Sequence, residues 1–233
     1  MLKAVFFDLD GTLLPMDEEM FIKLYFKLLC VRLAPKGYDS EELVGVIYKG
    51  ITAMFKNDGS KTNEEAFWEV FKNHYGEDKM CDKEYIDEFY VNEFKDVKKA
   101  CGENSLAKEI VKFCNDNNLI VGLSTNPLFP KAGTLTRMSF VGLEESDFDF
   151  VTTYEDCYYS KPNPMYFKAL LDKYNLKSDE VILFGNNTLE DGDCASLLGI
   201  KVYMVGDCII NKGVNKYEHI KMDEVIGVIK SYL

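Results

Sequence analysis

The sequence predicts an α/β protein in which a parallel β-sheet core is interrupted by an inserted all-helical segment. Three observations support this prediction. Apolar runs of strand length alternate with amphipathic helical stripes in the second half of the chain. One further apolar run stands at the start, and about ninety residues of helical pattern separate it from that alternation. The length of 233 residues is sufficient for such a core and an insertion.

The first strand is predicted at residues 4–7 of the stretch KAVFFDLDGTLL, because a strand buried on both faces reads as a continuous apolar run. Asp8 and Asp10 then stand at its carboxyl end. Gly11 favours a tight turn in which the backbone approaches a ligand closely. Taken alone, the D-x-D-G tetrapeptide is more typical of a solvated turn. The two acids become informative only through what the other strands place beside them.

The inserted segment begins after Pro15, and its apolar residues recur at helical spacing without a clear strand. Asp39 with Glu42 and Thr62 with Glu65 resemble capping boxes that begin its second and third helices. The apolar stripes of its first and fourth helices are Phe21, Leu24, Tyr25 and Leu28, and Ile86, Phe89 and Tyr90. We expect Trp68 to belong to the core of this segment.

Strands and helices alternate again after about residue 105. Further strands are predicted at the apolar runs 119–123, 150–152, 181–184 and 201–205. A helical stripe between two of them consists of Phe167, Leu170, Leu171 and Tyr174. This alternation implies βαβ crossovers and a parallel sheet covered on both faces.

The composition excludes several classes of protein. The net charge is −12, which disfavours nucleic acid and anionic membranes as partners. No run approaches the ~18 apolar residues of a membrane helix, and Asp8 interrupts the first apolar run before it could serve as a signal sequence. With only His74 and His219 present, a histidine-rich metal site is excluded and a Ser-His-Asp triad is poorly supported. We expect a cytoplasmic protein.

The seven cysteines are scattered and form no C-x-x-C pair, so neither a disulfide framework nor a zinc cluster is predicted. We expect reduced, mostly buried thiols.

Ligands of open α/β sheets bind outside the carboxyl ends of the strands, so the polar residues that follow each predicted strand form the candidate site. These are Asp8 and Asp10; Ser124, Thr125 and Asn126; Lys161; and Asn186, Asn187, Glu190, Asp191 and Asp193. Acids, hydroxyls and one lysine at one edge suit an oxyanion bound together with a hard divalent cation. Considered singly, Thr125 is equally consistent with a helix cap and Lys161 with a surface lysine.

Four segments in this order, DLDGTL, STNP, SKPNP and GNNTLEDGDCASLLG, resemble the motifs of the haloacid dehalogenase (HAD) superfamily, in particular its phosphatase branch. The helical insertion resembles the C1 cap of that superfamily. The resemblance implies a Rossmann-like core at residues 1–14 and 103–233 and a helical cap at residues 15–102.

The resemblance also implies roles for individual residues. Asp8 would attack phosphorus and form an aspartyl-phosphate, and Asp10 would act as general acid and then as general base. Thr12, Thr125, Asn126 and Lys161 would bind the substrate, and Thr125 and Lys161 would also hold the transferring oxygens. The predicted ligands of Mg²⁺ are Asp8, the main-chain carbonyl of Asp10, Asn186 and Asp191. Thr12 is expected to order its loop through hydrogen bonds to the backbone.

The fourth motif departs from the family pattern, because Gly185 is followed by Asn186 where an aspartate is usual. An amide oxygen still suits a hard cation but brings no charge, so metal affinity should fall. Three outcomes are open: Asn186 ligates Mg²⁺, Asp191 or another acid compensates through water, or turnover is lost. The first two together are favoured.

The sequence is consistent with three functions: a Mg²⁺-dependent phosphatase for a small phosphorylated metabolite, a phosphomutase of the same fold, and a non-catalytic binding protein. Dehalogenation is disfavoured, because the dehalogenase branch lacks the acid found here at Asp10. The chain is expected to be a monomer or a small homo-oligomer.

The cap is expected to close over the site, with hinges near Pro15 and at residues 100–104. Its candidate contacts to an anionic substrate are Lys23, Lys27, Arg32, Lys49 and Lys56.

Overall fold

The computed structural model describes residues 1–233 and has a six-stranded parallel β-sheet at its centre. The strands are β1 (Ala4–Phe7), β2 (Ile120–Leu123), β3 (Phe150–Val151), β4 (Val181–Gly185), β5 (Lys201–Val205) and β6 (Glu218–Ile220). Their order across the sheet is β3-β2-β1-β4-β5-β6, and every neighbouring pair is parallel. The predicted Rossmann-like α/β class is therefore confirmed. The first strand of the chain lies between β2 and β4, which precede two of the other predicted motifs.

Helices cover both faces of the sheet. The α-helices are α1 (Glu18–Leu33), α2 (Ser40–Phe55), α3 (Asn63–Tyr75), α4 (Lys83–Val91), α5 (Ala107–Asp116), α6 (Lys131–Ser139), α7 (Met165–Lys173), α8 (Cys194–Ser196) and α9 (Val225–Lys230). Side chains of α5 and α9 pack with Val5 and Phe7 of β1, whereas α7 and α8 pack with Ala4 and Phe6. All four residues of β1 are buried, as its continuous apolar run predicts.

The segment between β1 and α5 is helical and has a core of its own. Its 16 buried residues include Trp68 and the predicted apolar residues of α4. The predicted capping box at Thr62 and Glu65 is present at the start of α3. At α2 only half of the prediction is correct: Asp39 accepts the amides of Glu41 and Glu42, but the Glu42 carboxylate contacts His74 instead of returning to the cap.

Two linkers join this helical segment to the sheet, and they lie side by side. The Asp17 amide donates to Ala100 O at 2.9 Å, and the Gly102 amide donates to Pro15 O at 2.7 Å. The predicted hinges and domain boundaries fall in this paired stretch, and they stay predictions.

The helical segment also contacts the core at the start of α3. The Asn63 side chain is fully buried, and its Nδ2 donates to Pro127 O at 3.2 Å and to Ser160 Oγ at 3.0 Å. Its backbone amide donates to Cys157 O at 2.8 Å. One asparagine thus fastens the cap to two loops at the carboxyl edge of the sheet.

Two predictions need correction. Strand β6 was not predicted, because its sequence Glu-His-Ile has one buried residue and no apolar run. All seven cysteines are free, but only Cys114 and Cys194 are buried, so the expectation of mostly buried thiols is wrong. Most of the others lie at the edges of helices and loops, where a small thiol needs no enclosed site.

No helix in the structure combines the length and the apolar character needed to cross a membrane.

Candidate active site

The predicted polar residues come together at the carboxyl edge of the sheet, because the strands that precede them are parallel neighbours. Asp8 follows β1, Thr125 and Asn126 follow β2, and Asn186 follows β4. Lys161 comes from the loop between β3 and α7 and reaches the same point.

Asp8 is held from two sides. Lys161 Nζ donates to Asp8 Oδ1 at 3.1 Å, and the Thr12 hydroxyl donates to Asp8 Oδ2 at 3.2 Å. Thr12 therefore orders a side chain, and the predicted hydrogen bond from its hydroxyl to the backbone is wrong. Burial raises the pKa of Asp8 to about 7, although Lys161 opposes this shift. The carboxyl group is thus oriented, and its burial disfavours the charged form.

Lys161 is fully buried between two acids. Besides Asp8 it donates to Asp191 Oδ1 at 2.5 Å. Burial disfavours its charged form, but Asp191 and Asp8 together hold the pKa of Lys161 well above its ordinary value. The site therefore contains a fixed ammonium group beside Asp8.

Asp191 is engaged through both of its oxygens. While Oδ1 accepts from Lys161, Oδ2 accepts the backbone amides of Asn186 and Asn187, each at 3.1 Å. Gly185 is necessary for this arrangement, because a Cβ there would lie 2.4 Å from the Asp191 carboxyl group. These contacts indicate that Asp191 positions Lys161 and the turn after β4.

Two residues after β2 connect the motifs with one another. The Thr125 carbonyl accepts the hydroxyls of Thr152 at 2.7 Å and Tyr166 at 2.9 Å. Asn126 Nδ2 donates to Lys161 O at 3.2 Å and to Glu190 Oε2 at 2.8 Å. Both residues also line the cavity beside Asp8. By contrast, the Asp193 carboxylate accepts from Val214, Asn215 and Tyr217 and does not line this cavity.

Asp10 has a partner that sequence reasoning did not identify. Arg137 Nε lies 3.2 Å from Asp10 Oδ1, and the guanidinium group is fully buried over the Phe129 ring, 4.2 Å from its centroid. None of the three guanidinium nitrogens has a hydrogen-bond partner, so the contact with Asp10 is an ion pair without hydrogen-bond alignment. Burial raises the pKa of Asp10, and Arg137 opposes that shift. The rarity of arginine could have pointed to this residue, because Arg32 and Arg137 are the only arginines in the chain.

Asn186 packs tightly against the turn that follows β1. Its Nδ2 donates to Cys208 O at 2.7 Å. A Cβ on Gly11 would lie 2.0 Å from the same nitrogen, and Gly11 has a φ of +82°, so only glycine fits this turn. With its nitrogen engaged, the amide of Asn186 has its oxygen left for a ligand.

The donor atoms present here fit a hard divalent cation. Asp8, Asp10, Glu190 and Asp191 lie together at this edge, with Lys161 beside Asp8 and Arg137 beside Asp10, and burial, together with the neighbouring Asp191 and Asp10, raises the pKa of Asp8. No three His, Cys, Asp or Glu side chains form a group that could hold a metal. An ion would therefore need amide and main-chain oxygens in addition to Asp8, and these are the donors that Mg²⁺ accepts.

The carboxyl edge opens into a cavity of about 440 Å³ between the sheet and the helical segment. Its floor includes Asp8, Asp10, Thr125 and Asn186. None of the lysines or arginines proposed from the sequence as cap contacts lines it.

Residues 5–205 match a family of proteins described as haloacid dehalogenase-like hydrolases. No curated protein matches the sequence significantly.

Solved structures resemble the whole chain. A HAD phosphatase from Thermococcus onnurineus is 19% identical with a TM-score of 0.60, and the match covers 98% of each chain. A putative beta-phosphoglucomutase from Thermotoga maritima is 22% identical with a TM-score of 0.58, covering 100% of both chains. A 2-haloacid dehalogenase from Pseudomonas syringae pv. Tomato DC3000 is 16% identical with a TM-score of 0.64, also covering 100% of both. At these identities the likeness concerns the fold.

Proposed function

The chain belongs to the haloacid dehalogenase-like hydrolases, and on that premise we propose that it is a Mg²⁺-dependent phosphatase that hydrolyses a small phosphate monoester through an aspartyl-phosphate. The single observation that supports this best is the Asp8 carboxylate, which Lys161 and Thr12 orient from opposite oxygens at the end of the central strand. The seven free cysteines support action in the reducing cytoplasm.

In the first step, an Asp8 oxygen attacks phosphorus and the bond from phosphorus to the ester oxygen breaks. Lys161 and Thr125 stabilise the negative charge on the transferring phosphoryl oxygens, and Asn126 keeps their two loops together. Asp10 donates its proton to the departing alcohol oxygen. Its raised pKa and its place in the cavity wall suit this role.

In the second step, Asp10 takes a proton from a water molecule that attacks the phosphorus of the aspartyl-phosphate. The bond to Asp8 breaks, and inorganic phosphate leaves. Arg137 favours the ionised form of Asp10 that this step requires.

Asp8, the main-chain carbonyl of Asp10 and Asn186 would hold Mg²⁺, and Asp191 would support them through the turn after β4. When bound, the ion supplies charge that reduces the repulsion between Asp8 and an anionic phosphoryl group.

The alternatives are weaker on specific grounds. Asp10 favours phosphoryl transfer over dehalogenation, because a halide leaving group needs no proton. A phosphomutase must hold a sugar phosphate between two transfers, and the cap side of this cavity has few polar groups for that purpose. A non-catalytic binding protein is motivated only by Asn186.

The test is phosphate release from p-nitrophenyl phosphate, with and without Mg²⁺, for the unaltered protein and for Asp8→Asn. We expect release that depends on Mg²⁺ and falls by at least about 10⁴-fold in Asp8→Asn, since the nucleophile is lost. Asp10→Asn should accumulate phosphorylated protein with this activated ester, because the second step needs its base. Turnover retained by Asp8→Asn would eliminate the proposed nucleophile, and no release under any condition would favour a binding protein.

A further inference from the structure

The two walls of the active-site cavity differ in chemistry, and the cap wall is almost entirely hydrocarbon. Side chains of α1 and α2 form it, principally Ile22, Tyr25, Phe26, Tyr48, Ile51 and Phe55. The hydroxyl of Tyr25 bonds to that of Tyr90 at 2.9 Å, so it is not available to a ligand. Apart from the Glu18 carboxyl group and the Tyr48 hydroxyl, a bound molecule therefore meets rings and aliphatic groups on this side.

The lysines and arginine of the cap are engaged or placed elsewhere. Arg32 contacts Glu88 at 2.7 Å and Glu93 at 3.0 Å and lies over the Tyr85 ring. Lys23 pairs with Glu19. Five carboxyl groups line the cavity, those of Asp8, Asp10, Glu18, Glu190 and Asp191, and no lysine or arginine side chain does. An additional phosphate or carboxylate on the substrate would meet repulsion there and no basic partner.

Some apolar residues of this wall are exposed to solvent. A bound ligand would cover them and remove the free-energy cost of that exposure. Ile22 is 38%, Tyr48 49% and Phe55 38% exposed. A second cavity of about 80 Å³ shares four wall residues with the active-site cavity, including Ile51 and Phe129, and nearly all of its lining is hydrophobic. Concave apolar surface beside a few convergent polar groups is typical of small-molecule sites.

We infer that the substrate carries the phosphate as its only anionic group, on an alcohol that is largely apolar. This inference rests on the proposed function and narrows it. The core wall consists of the cavity residues that follow β1, β2 and β4, with Lys161 and Arg137 directly behind them. It performs the chemistry on the phosphoryl group, and the cap wall selects the alcohol by burying its hydrocarbon.

Primary alkyl phosphates of increasing length test this directly. From ethyl to butyl to hexyl phosphate, kcat/KM should rise about fourfold for each methylene, as complete burial of a methylene predicts. Hexyl phosphate should exceed glucose 6-phosphate, which has the same number of carbons but a polar body.

Matched variants locate the effect on the cap wall. Ile22→Ala should lower kcat/KM for hexyl phosphate about fourfold or more and leave ethyl phosphate nearly unchanged. Val31→Ala on the same helix is the control, because Val31 is exposed and does not line the cavity. It should behave like the unaltered protein with both esters.

Binding to Asp8→Asn separates this inference from the proposed mechanism. Calorimetric titration of that variant with the alkyl phosphates should give affinities that increase with chain length, whether or not the unaltered protein turns them over. No turnover with increasing affinity would reject the phosphatase and retain the ligand class. Turnover with no increase in kcat/KM from ethyl to hexyl phosphate, or a preference for glucose 6-phosphate, would overturn the inference and retain the phosphatase.

Discussion

The two walls of the active-site cavity differ in the interactions that hold their side chains in place. On the core wall, buried charges compensate one another: Lys161 forms ion pairs with both Asp8 and Asp191. On the cap wall, rings pack on rings, and Tyr25 lies 5.0 Å from Phe26 and 5.4 Å from Phe129 between centroids. The core wall depends on specific charged partners, whereas the cap wall depends on the shape and volume of its rings.

This difference determines which substitutions each wall should tolerate. Removing one member of a buried charge network leaves another charge without compensation, which costs far more than the interaction itself contributed. Removing one ring from an apolar wall costs burial but leaves no unsatisfied group. Changes in the core wall should therefore affect chemistry with every substrate, and changes in the cap wall should affect only the choice among substrates.

The largest effect is expected from Lys161→Met, which breaks the core wall at its centre. Two buried carboxylates would lose their shared cation, and kcat should fall about 10²–10³-fold with any ester. The free energy of unfolding should decrease by about 3–5 kcal/mol. Phosphate release and urea denaturation measure the two effects.

Lys168→Met is the matched control, because Lys168 is an exposed lysine paired with an exposed Asp172 on α7. It should change stability by less than about 1 kcal/mol and leave activity intact. The double variant Lys161→Met/Asp191→Asn should recover part of the lost stability without recovering activity. Equal losses in the single and double variants would show that Asp191 and Lys161 are not coupled.

A smaller effect is expected from Arg137→Met, where a charge of the core wall adjoins the rings of the cap wall. The guanidinium has no hydrogen-bond partner, and the Asp10 side chain is 31% exposed, so water can compensate part of the charge that Met leaves unpaired; we expect the free energy of unfolding to change by no more than about 1 kcal/mol. Without Arg137 the pKa of Asp10 rises further, so less ionised base is present and kcat should fall about tenfold. A loss above about 3 kcal/mol in denaturation would show that the buried arginine stabilises the fold.

Asn63→Ala tests how firmly the two walls are held against each other. It removes hydrogen bonds to Pro127 and Ser160 and should lower the free energy of unfolding by about 2 kcal/mol. With the cap less firmly placed, KM for apolar esters should rise several-fold while kcat for a small ester stays constant. Asn92→Ala is the control, because Asn92 bonds only within its own exposed helix end. A fall in kcat for all esters would mean that Asn63 also orders the core wall.

Most of the core wall was predictable from the sequence, with the exception of Arg137, whereas the cap wall was not. Asp8, Thr125, Lys161 and Asn186 each follow a strand or open a helix, and parallel topology fixes where such residues meet. Side chains of α1 and α2 reach the cavity only because of how the cap docks, and helical periodicity gives a buried stripe but not its partner. Thus Phe55 gave no sequence signal, and the lysines suggested for the cap wall lie elsewhere.

The smallest effect is expected from Asn186→Asp, which adds a charge to the core wall at the point where the sequence departs from its family. An aspartate should lower the Mg²⁺ concentration for half-maximal activity about two- to fivefold, because a charged oxygen binds a hard cation more strongly. It cannot donate to Cys208 O, so the variant should also lose about 1–2 kcal/mol of stability without Mg²⁺. Asn187→Asp is the matched control: its side-chain oxygen accepts the amides of Leu189 and Glu190, a role that a carboxylate keeps. An equal shift in both variants would mean that general charge, and not ligation by residue 186, governs the affinity for Mg²⁺.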